Sequence, residues 1–306
     1  VIITSDLSAP PASTTPLAPN TGPFPQRDFL SAWHEELGHG TEVSVADWGT
    51  GELTLMKHPD GLIELLGEED LCDYHSPLGI VGSADVASLV SALGDGDRLS
   101  FDSLPVEAAA PIFAGLTFAG LQPSCQQHQS ALVLKLPSAV DDFYLGLSKK
   151  DRHELRRKRR RYEELIGKVV LRTDDQAGTG FEEFIRLHRM AAGPKGQFMN
   201  GARERFFRRL AGQPGWRTDY LATPNGATAC LFGFAENGDY YLYNSSFDPA
   251  LSAGSPGLVV LTSMIEHAIG EAFSLFDFLK GDEDYKRRLG ATRRPLYRIE
   301  AKLEAR

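Results

Sequence analysis

Between Asp239 and Gly290 the chain passes from a strand to a loop to a helix and back to a strand. Tyr240-Tyr241-Leu242-Tyr243-Asn244-Ser245-Ser246 reads as the first strand. Small residues fill the loop at 247–257, an apolar helix starts at Leu258 and runs to about Ala272, and a short strand covers 275–279. The polar run Lys280-Gly281-Asp282-Glu283-Asp284-Tyr285-Lys286-Arg287-Arg288 closes the stretch. A strand, a small-residue loop and a helix bring backbone N–H groups to an anion at the helix start. With carboxylates and a tyrosine ending the next strand, the stretch predicts a phosphate cradle with acid/base groups beside it.

The remaining chain must supply a frame for that cradle. Its 306 residues suffice for two ordinary domains, and 42% hydrophobic against 24% charged residues lets each bury a core. A net charge of −9 argues against general nucleic-acid binding. Cys72, Cys125 and Cys230 form no CxxC pair, which removes a zinc knuckle or disulfide framework and makes a reducing cytoplasm the expected location. No apolar run reaches the length of a membrane helix, so no membrane partner is expected. Residues 1–25, rich in Pro, Ser, Thr and Ala, lack the basic start and apolar core of a secretion signal and read as a mobile tail. His34, Glu35 and His39 miss the four-residue histidine spacing of a metalloprotease helix, and no metal is expected.

Patterning predicts a helix at 28–37, strands at 42–46, 52–57 and 62–66, a helix at 84–93, a strand at 99–104, a helix from 105 to about 114 and a strand at 131–136, with 123–130 as a polar loop. After a hinge at 137–142, Ser148 with Asp151 marks the start of a helix dense in Lys and Arg. A strand at 168–172, helices at 180–190 and 202–210 separated by a loop, and a meander at 218–222, 228–235 and 240–246 follow. The Asn225-Gly226 and Asn237-Gly238 turns join the meander, and a last strand covers 295–302.

The order strand, helix, helix, three antiparallel strands, helix, strand, helix, strand resembles the GCN5-related N-acetyltransferase (GNAT) fold, and the first half repeats a shortened version. Leu147-Ser148-x-Lys150-x-Arg152-x-x-Leu155-Arg156-Arg157, Ser255-Pro256-Gly257-Leu258, Phe278-Leu279-x-Gly281-Asp282-Glu283-x-Tyr285-Lys286 and Asp73-Tyr74 are similar to the acyltransferase domain of the BcsL/CelD family. The FemABX aminoacyltransferases are more distant relatives with the same paired domains. The resemblance implies an α+β fold of tandem GNAT-like domains, each a mostly antiparallel sheet flanked by helices. The expected divisions are a tail at 1–25, a degenerate domain at 26–137 and an acyltransferase domain at 138–306, whose ligand cleft lies at splayed strands.

The implied reaction is transfer of an acetyl or longer acyl group from acyl-CoA to an amine of a small polar acceptor, such as an amino sugar or sugar nucleotide. Tyr243, Asn244, Ser245, Ser252, Ser255, Gly257 and Leu258 are the expected donor-binding residues, although Pro256 has no N–H to offer a phosphate. Asp277 and Glu283 are candidate bases and Tyr285 the candidate acid for the departing thiolate. Asp282 and Glu283 serve equally as caps of the following helix, and Tyr285 as packing. Asp73, Tyr74, Arg156, His188, Asp282 and Lys286 are candidate acceptor contacts, with core packing the competing role for His188. The basic helix reads either as a solvated face or as a phosphate contact through Lys150, Arg152 and Arg156. Two alternatives stay open: an aminoacyl-tRNA-dependent transferase, and a ligand-binding module that kept the fold without activity.

Overall fold

The computed structural model describes residues 1–94, 96–175 and 178–303, without the side chains of 194 and 195. The chain forms two compact units, Val1–Ala131 with Arg294–Arg306, and Leu132–Arg293. The boundary falls before the expected hinge, and the last strand returns to the first unit rather than closing the second.

In the first unit β1 (Ile2–Thr4) precedes α1 (Arg27–Leu37), and β2 (Glu42–Asp47), β3 (Gly51–Lys57) and β4 (Leu62–Leu65) form an antiparallel meander. β5 (Leu78–Gly79) pairs β3, α2 (Ser83–Ala92) follows, and β6 (Arg98–Leu104) lies parallel to β4. Next comes α3 (Val106–Phe118), and β7 (Ser124–Lys135) carries the chain into the second unit. There α4 (Val140–Gly146), α5 (Lys149–Leu165), β8 (Leu171–Arg172), α6 (Thr179–Met190), α7 (Pro194–Phe198) and α8 (Gly201–Ala211) lead to a second meander. It consists of β9 (Trp216–Thr223), β10 (Gly226–Glu236) and β11 (Asp239–Phe247). After it come a 3₁₀ turn (Pro249–Gly254), α9 (Pro256–Gly270), β12 (Leu275–Lys280) parallel to β11, and α10 (Asp284–Arg288). β13 (Thr292–Lys302) then pairs antiparallel with β6. Both units therefore show the order helix, three-strand meander, helix, parallel strand, helix.

The first core packs Leu53, Leu55, Val86, Leu89, Phe101 and Ile112, and the second packs Tyr162, Leu231, Val260, Met264, Ile265 and Phe276. In each, alternating strand residues meet the apolar face of a crossover helix. Among the described residues no helix is long and apolar enough to cross a membrane.

Three expectations need correction. Residues 1–25 are not a mobile tail. Ile2, Ile3 and Thr4 pair with Asp47, Ala46 and Val45, the Leu17 N–H reaches the Pro77 carbonyl at 2.8 Å, and Ala18 and Phe24 are fully buried. Backbone pairing and a few anchors order a segment whose composition reads as disordered. The expected loop at 123–130 is the outer half of β7, its polar run being a strand end with little burial. α7 occupies part of the expected loop after α6, where Pro194 stands at the helix start.

Candidate active site

The cleft of the second unit arises from a register change. β10 and β11 pair Phe232 with Asn244 but Gly233 with Leu242, so Tyr243 is an extra residue on β11. Such a bulge bends its strand and increases the twist. β11 and β12 pair only at Asp239–Leu275, Tyr240–Phe276 and Tyr241–Asp277. Past Tyr241 the strands part, and alternate backbone groups from Leu242 onward face a gap instead of a ladder. A buried network sets the bend. The Tyr240 hydroxyl donates to Asp219 Oδ2 at 2.8 Å, and Arg217 holds Asp219 at 2.6 Å. Only glycine fits at 233, since a Cβ there would stand 2.6 Å from the Tyr240 oxygen. Burial, then the Asp219 carboxylate, hold the Tyr240 phenol well above its ordinary pKa.

Ser252 is exposed, and Ser255 and Gly257 are half-buried, so the loop ahead of α9 is open to a ligand. Ser255 adopts a left-handed conformation (φ 56°) and Pro256 begins the helix. α5 lies against this turn. The Lys158 ammonium donates to Ser255 Oγ at 2.8 Å, and Arg161 Nε donates to the Ala253 carbonyl at 3.0 Å. Two cations thus meet the positive end of a helix, where an anion is the favourable neighbour. Glu154 stands 4.0 Å from the Lys158 nitrogen but is paired to Arg157 at 2.7 Å. The electrostatics of the turn call for an anion with more than one charge.

The expected phosphate contacts on α5 are placed differently. Arg152 donates to the Tyr144 and Leu145 carbonyls at 3.2 Å, Arg156 stands over the Tyr144 ring, and Lys150 lines an exposed groove with Lys149, His153 and Arg288. Lys158 and Arg161 were not singled out from sequence. The available signal was their position beside Tyr162, which with Leu155 forms the buried seam of α5.

The turn after β12 gathers Asp277, Asp282, Glu283, Tyr285 and Lys286. Asp277 is wholly buried, and its Oδ1 accepts the Leu279 N–H at 2.7 Å, holding Leu279 at φ 59°. Lys286, 4% exposed, donates to the Lys280 carbonyl at 2.8 Å and pairs with Glu283 at 2.9 Å, so its charge clamps the loop. Asp282 pairs with Arg287 and Arg293, and the hydrogen bond from Arg293, then that from Arg287 and the charges of both, hold its carboxyl below the usual range. Glu283 keeps half its side chain exposed. Tyr285 is 37% exposed, and the burial of the rest of the residue, then the Glu283 carboxylate, push its phenol up, which keeps it protonated.

Of the remaining candidates, the Tyr243 ring stacks on Phe207 at 5.3 Å and meets Trp216 edge-on at 5.2 Å, while Asn244 Oδ1 accepts the Ser245 N–H. His188 is buried between Phe184 and Phe198, at 5.7 and 5.4 Å, and sits in aromatic packing. Leu258 is half-buried in the first turn of α9. Asp73 and Tyr74 belong to the first unit, where Tyr74 is fully buried against Phe24 and beneath Arg294.

Residues 149–287 match the family model of an acetyltransferase (GNAT) domain. No curated protein matches the chain in sequence. Among solved structures the chain is similar to L-PGS from Bacillus licheniformis (11% identity, TM-score 0.59, covering 91% of this chain and 92% of that one). It is also similar to the C-terminal domain of a putative lysylphosphatidylglycerol synthetase from Agrobacterium fabrum (10%, 0.56, 90% and 91%) and to FemX (8%, 0.56, 88% and 90%). Identities this low speak for the fold alone. Within the mixed α+β fold, the match to a GNAT acetyltransferase domain lies in the second unit and supports acyl transfer.

Proposed function

We propose that the protein is an acyl-CoA-dependent N-acyltransferase of the BcsL/CelD type, with a small polar amine such as an amino sugar or sugar nucleotide as acceptor. The observation that carries this reading is the pair Lys158 and Arg161 at the start of α9, in a unit whose strands β11 and β12 part after Tyr241. The diphosphate of a coenzyme A thioester satisfies the charge at that turn. Ser252, Ser255 and the Gly257 amide offer it further donors, Leu258 packs beside them with its own N–H bonded to the Ser255 carbonyl, and Lys158 supplies the donor that Pro256 lacks. Backbone groups near Tyr243, Asn244 and Ser245 hold the donor's arm and polarise its carbonyl.

The thioester contributes an activated carbonyl and a thiolate leaving group. Glu283, half-exposed just ahead of α10, takes the amine proton, and Tyr285, kept protonated, returns one to the thiolate. Asp277 holds the backbone that presents both groups. Asp282 and Lys286 keep the loop in place, and the acceptor enters from the Tyr243 side. Cytoplasmic location accords with this donor.

Calorimetry with acetyl-CoA and longer acyl-CoAs tests donor binding, and thiol release across a panel of amines tests turnover. Absence of binding with every acyl-CoA removes the proposal; binding with no turnover on any amine favours an inactive binding module. A second reading, an aminoacyl-tRNA donor, draws on the exposed basic face of α5 at Lys149, Lys150, Arg156 and Arg160. It requires tRNA binding that weakens steeply with salt and no response to coenzyme A.

A further inference from the structure

At the start of α5 an open groove of about 710 Å³ is lined by Lys149, Lys150, His153, Glu154 and Arg288. That volume lies within the range of small-ligand sites. Lys149 and Lys150 are the first two residues of the helix, and both are exposed. Cations are unfavourable there, because the first turn carries the positive end of the helix dipole. The nearby acids are engaged elsewhere: Glu154 pairs with Arg157 at 2.7 Å, and Asp151 pairs with Arg288 at 2.7 Å and accepts the Ser148 hydroxyl at 2.6 Å. Among the described residues the two lysines make no ion pair. The backbone repeats the pattern. Ser148 accepts the Asp151 N–H through its hydroxyl and the Arg152 N–H through its carbonyl, which leaves the N–H groups of Lys149 and Lys150 as the unmet donors of this helix start. Arg288 ties the turn to α10, since its Nε donates to Asp151 Oδ1 at 2.7 Å. On α10 it follows Tyr285 by three residues, a spacing that puts two Cβ atoms about 5–6 Å apart on one helix face. The groove therefore opens beside the proposed acid.

We infer, resting on the proposed acyl transfer, that this groove holds a phosphate group of the acceptor, which is therefore a phosphate-bearing amine and not an amino sugar without phosphate. A phosphate monoester carries a charge of about −1.5 to −2 at pH 7, which balances the two lysines. Its oxygens accept from both ammonium groups and from the two unmet N–H groups, and such charge-assisted bonds are the strong ones. With the phosphate held by Lys149 and Lys150, the amine of the same molecule reaches Glu283 and Tyr285 beside Arg288. The donor's diphosphate keeps its own place at the α9 turn. Lys150 and Lys158 stand eight residues apart, about 12 Å along α5, so one basic helix serves donor and acceptor at separate points.

Calorimetry of matched amines on the full chain, with no donor present, tests the groove. Glucosamine is compared with its 1-phosphate and 6-phosphate, and ethanolamine with phosphoethanolamine. At least one phosphorylated amine should bind about tenfold tighter than its unphosphorylated partner, and the difference should shrink at high salt. The double variant Lys149→Gln, Lys150→Gln should lose that difference and keep the parent's affinity for the unphosphorylated amine and for acyl-CoA. Its urea midpoint should not fall, because the substitutions remove cations from a helix start. Equal affinity within every matched pair overturns the inference, as does a preference for phosphate that the double variant keeps. Binding of tRNA by the parent alone, steep in salt and without any preference among the amines, also overturns it and assigns this face to RNA. Acyl-CoA binding is measured on the same two proteins. Its absence from both removes the acyl-transfer reading, while the matched pairs still decide whether the groove takes a phosphate.

Discussion

Replacing Lys158 with Met separates ligand binding from folding at the start of α9. A phosphate seated by Ser255 lies about 5 Å from the Lys158 nitrogen, where two unit charges interact by about 3 kcal/mol at an effective dielectric near 20. Lys158 keeps 27% of its side chain exposed, and salt screens the pair. The loss is therefore about 1–1.5 kcal/mol, or about tenfold in the Kd for acyl-CoA. The free protein responds differently. There the ammonium opposes the helix dipole by about 0.3–1 kcal/mol, which offsets its hydrogen bond to Ser255 at about 1 kcal/mol. Lys158→Met should leave the urea midpoint nearly unchanged while Kd rises. The gap between the two proteins should shrink at high salt. Calorimetry at two ionic strengths, beside a denaturation curve, provides the measurement. Equal acyl-CoA affinity of variant and parent at both salts refutes the assignment of this turn to the diphosphate.

Tyr285→Phe should lower turnover by about a hundredfold with little change in the KM for acyl-CoA, and an unaffected rate would exclude Tyr285 as the acid. Asp219→Asn removes the counter-charge of the largely buried Arg217 and weakens the acceptor of the Tyr240 hydroxyl, so unfolding free energy should drop by about 3 kcal/mol in urea titration. Tyr240, Tyr162 and Tyr285 all have phenols raised in the folded state, chiefly by burial. Their contribution is complete below the unfolded tyrosine value near pH ~10 and falls as pH rises beyond it, because the unfolded chain releases its protons first. Urea midpoints from pH 8 to 11 should show that decline, and Tyr240→Phe should flatten it.

Local chemistry made much of the second unit readable. Asn237 and Gly238 take φ of 53° and 81°, the left-handed pair that an Asn-Gly hairpin requires. Ser148 Oγ accepts the Asp151 N–H at 3.1 Å, as a capping serine should. Residues 1–25 and the polar half of β7 were not readable, because backbone pairing with distant strands orders them and leaves little mark on side-chain pattern. Within α5, Lys and Arg residues of like chemistry stand at nine positions, and nothing local ranks them. Burial of Leu155 and Tyr162 sets the helix rotation, which turns Lys158 and Arg161 to the α9 turn and Arg152 to α4.

The amino-acid order by itself determined which segments become strands and helices and their succession, since periodicity, caps and turn residues act over a few neighbours. Tertiary structure alone decided where β11 leaves β12 and which cations reach the helix start. Those outcomes depend on long-range register and packing, where a shift of one residue or one helical face changes which side chains meet.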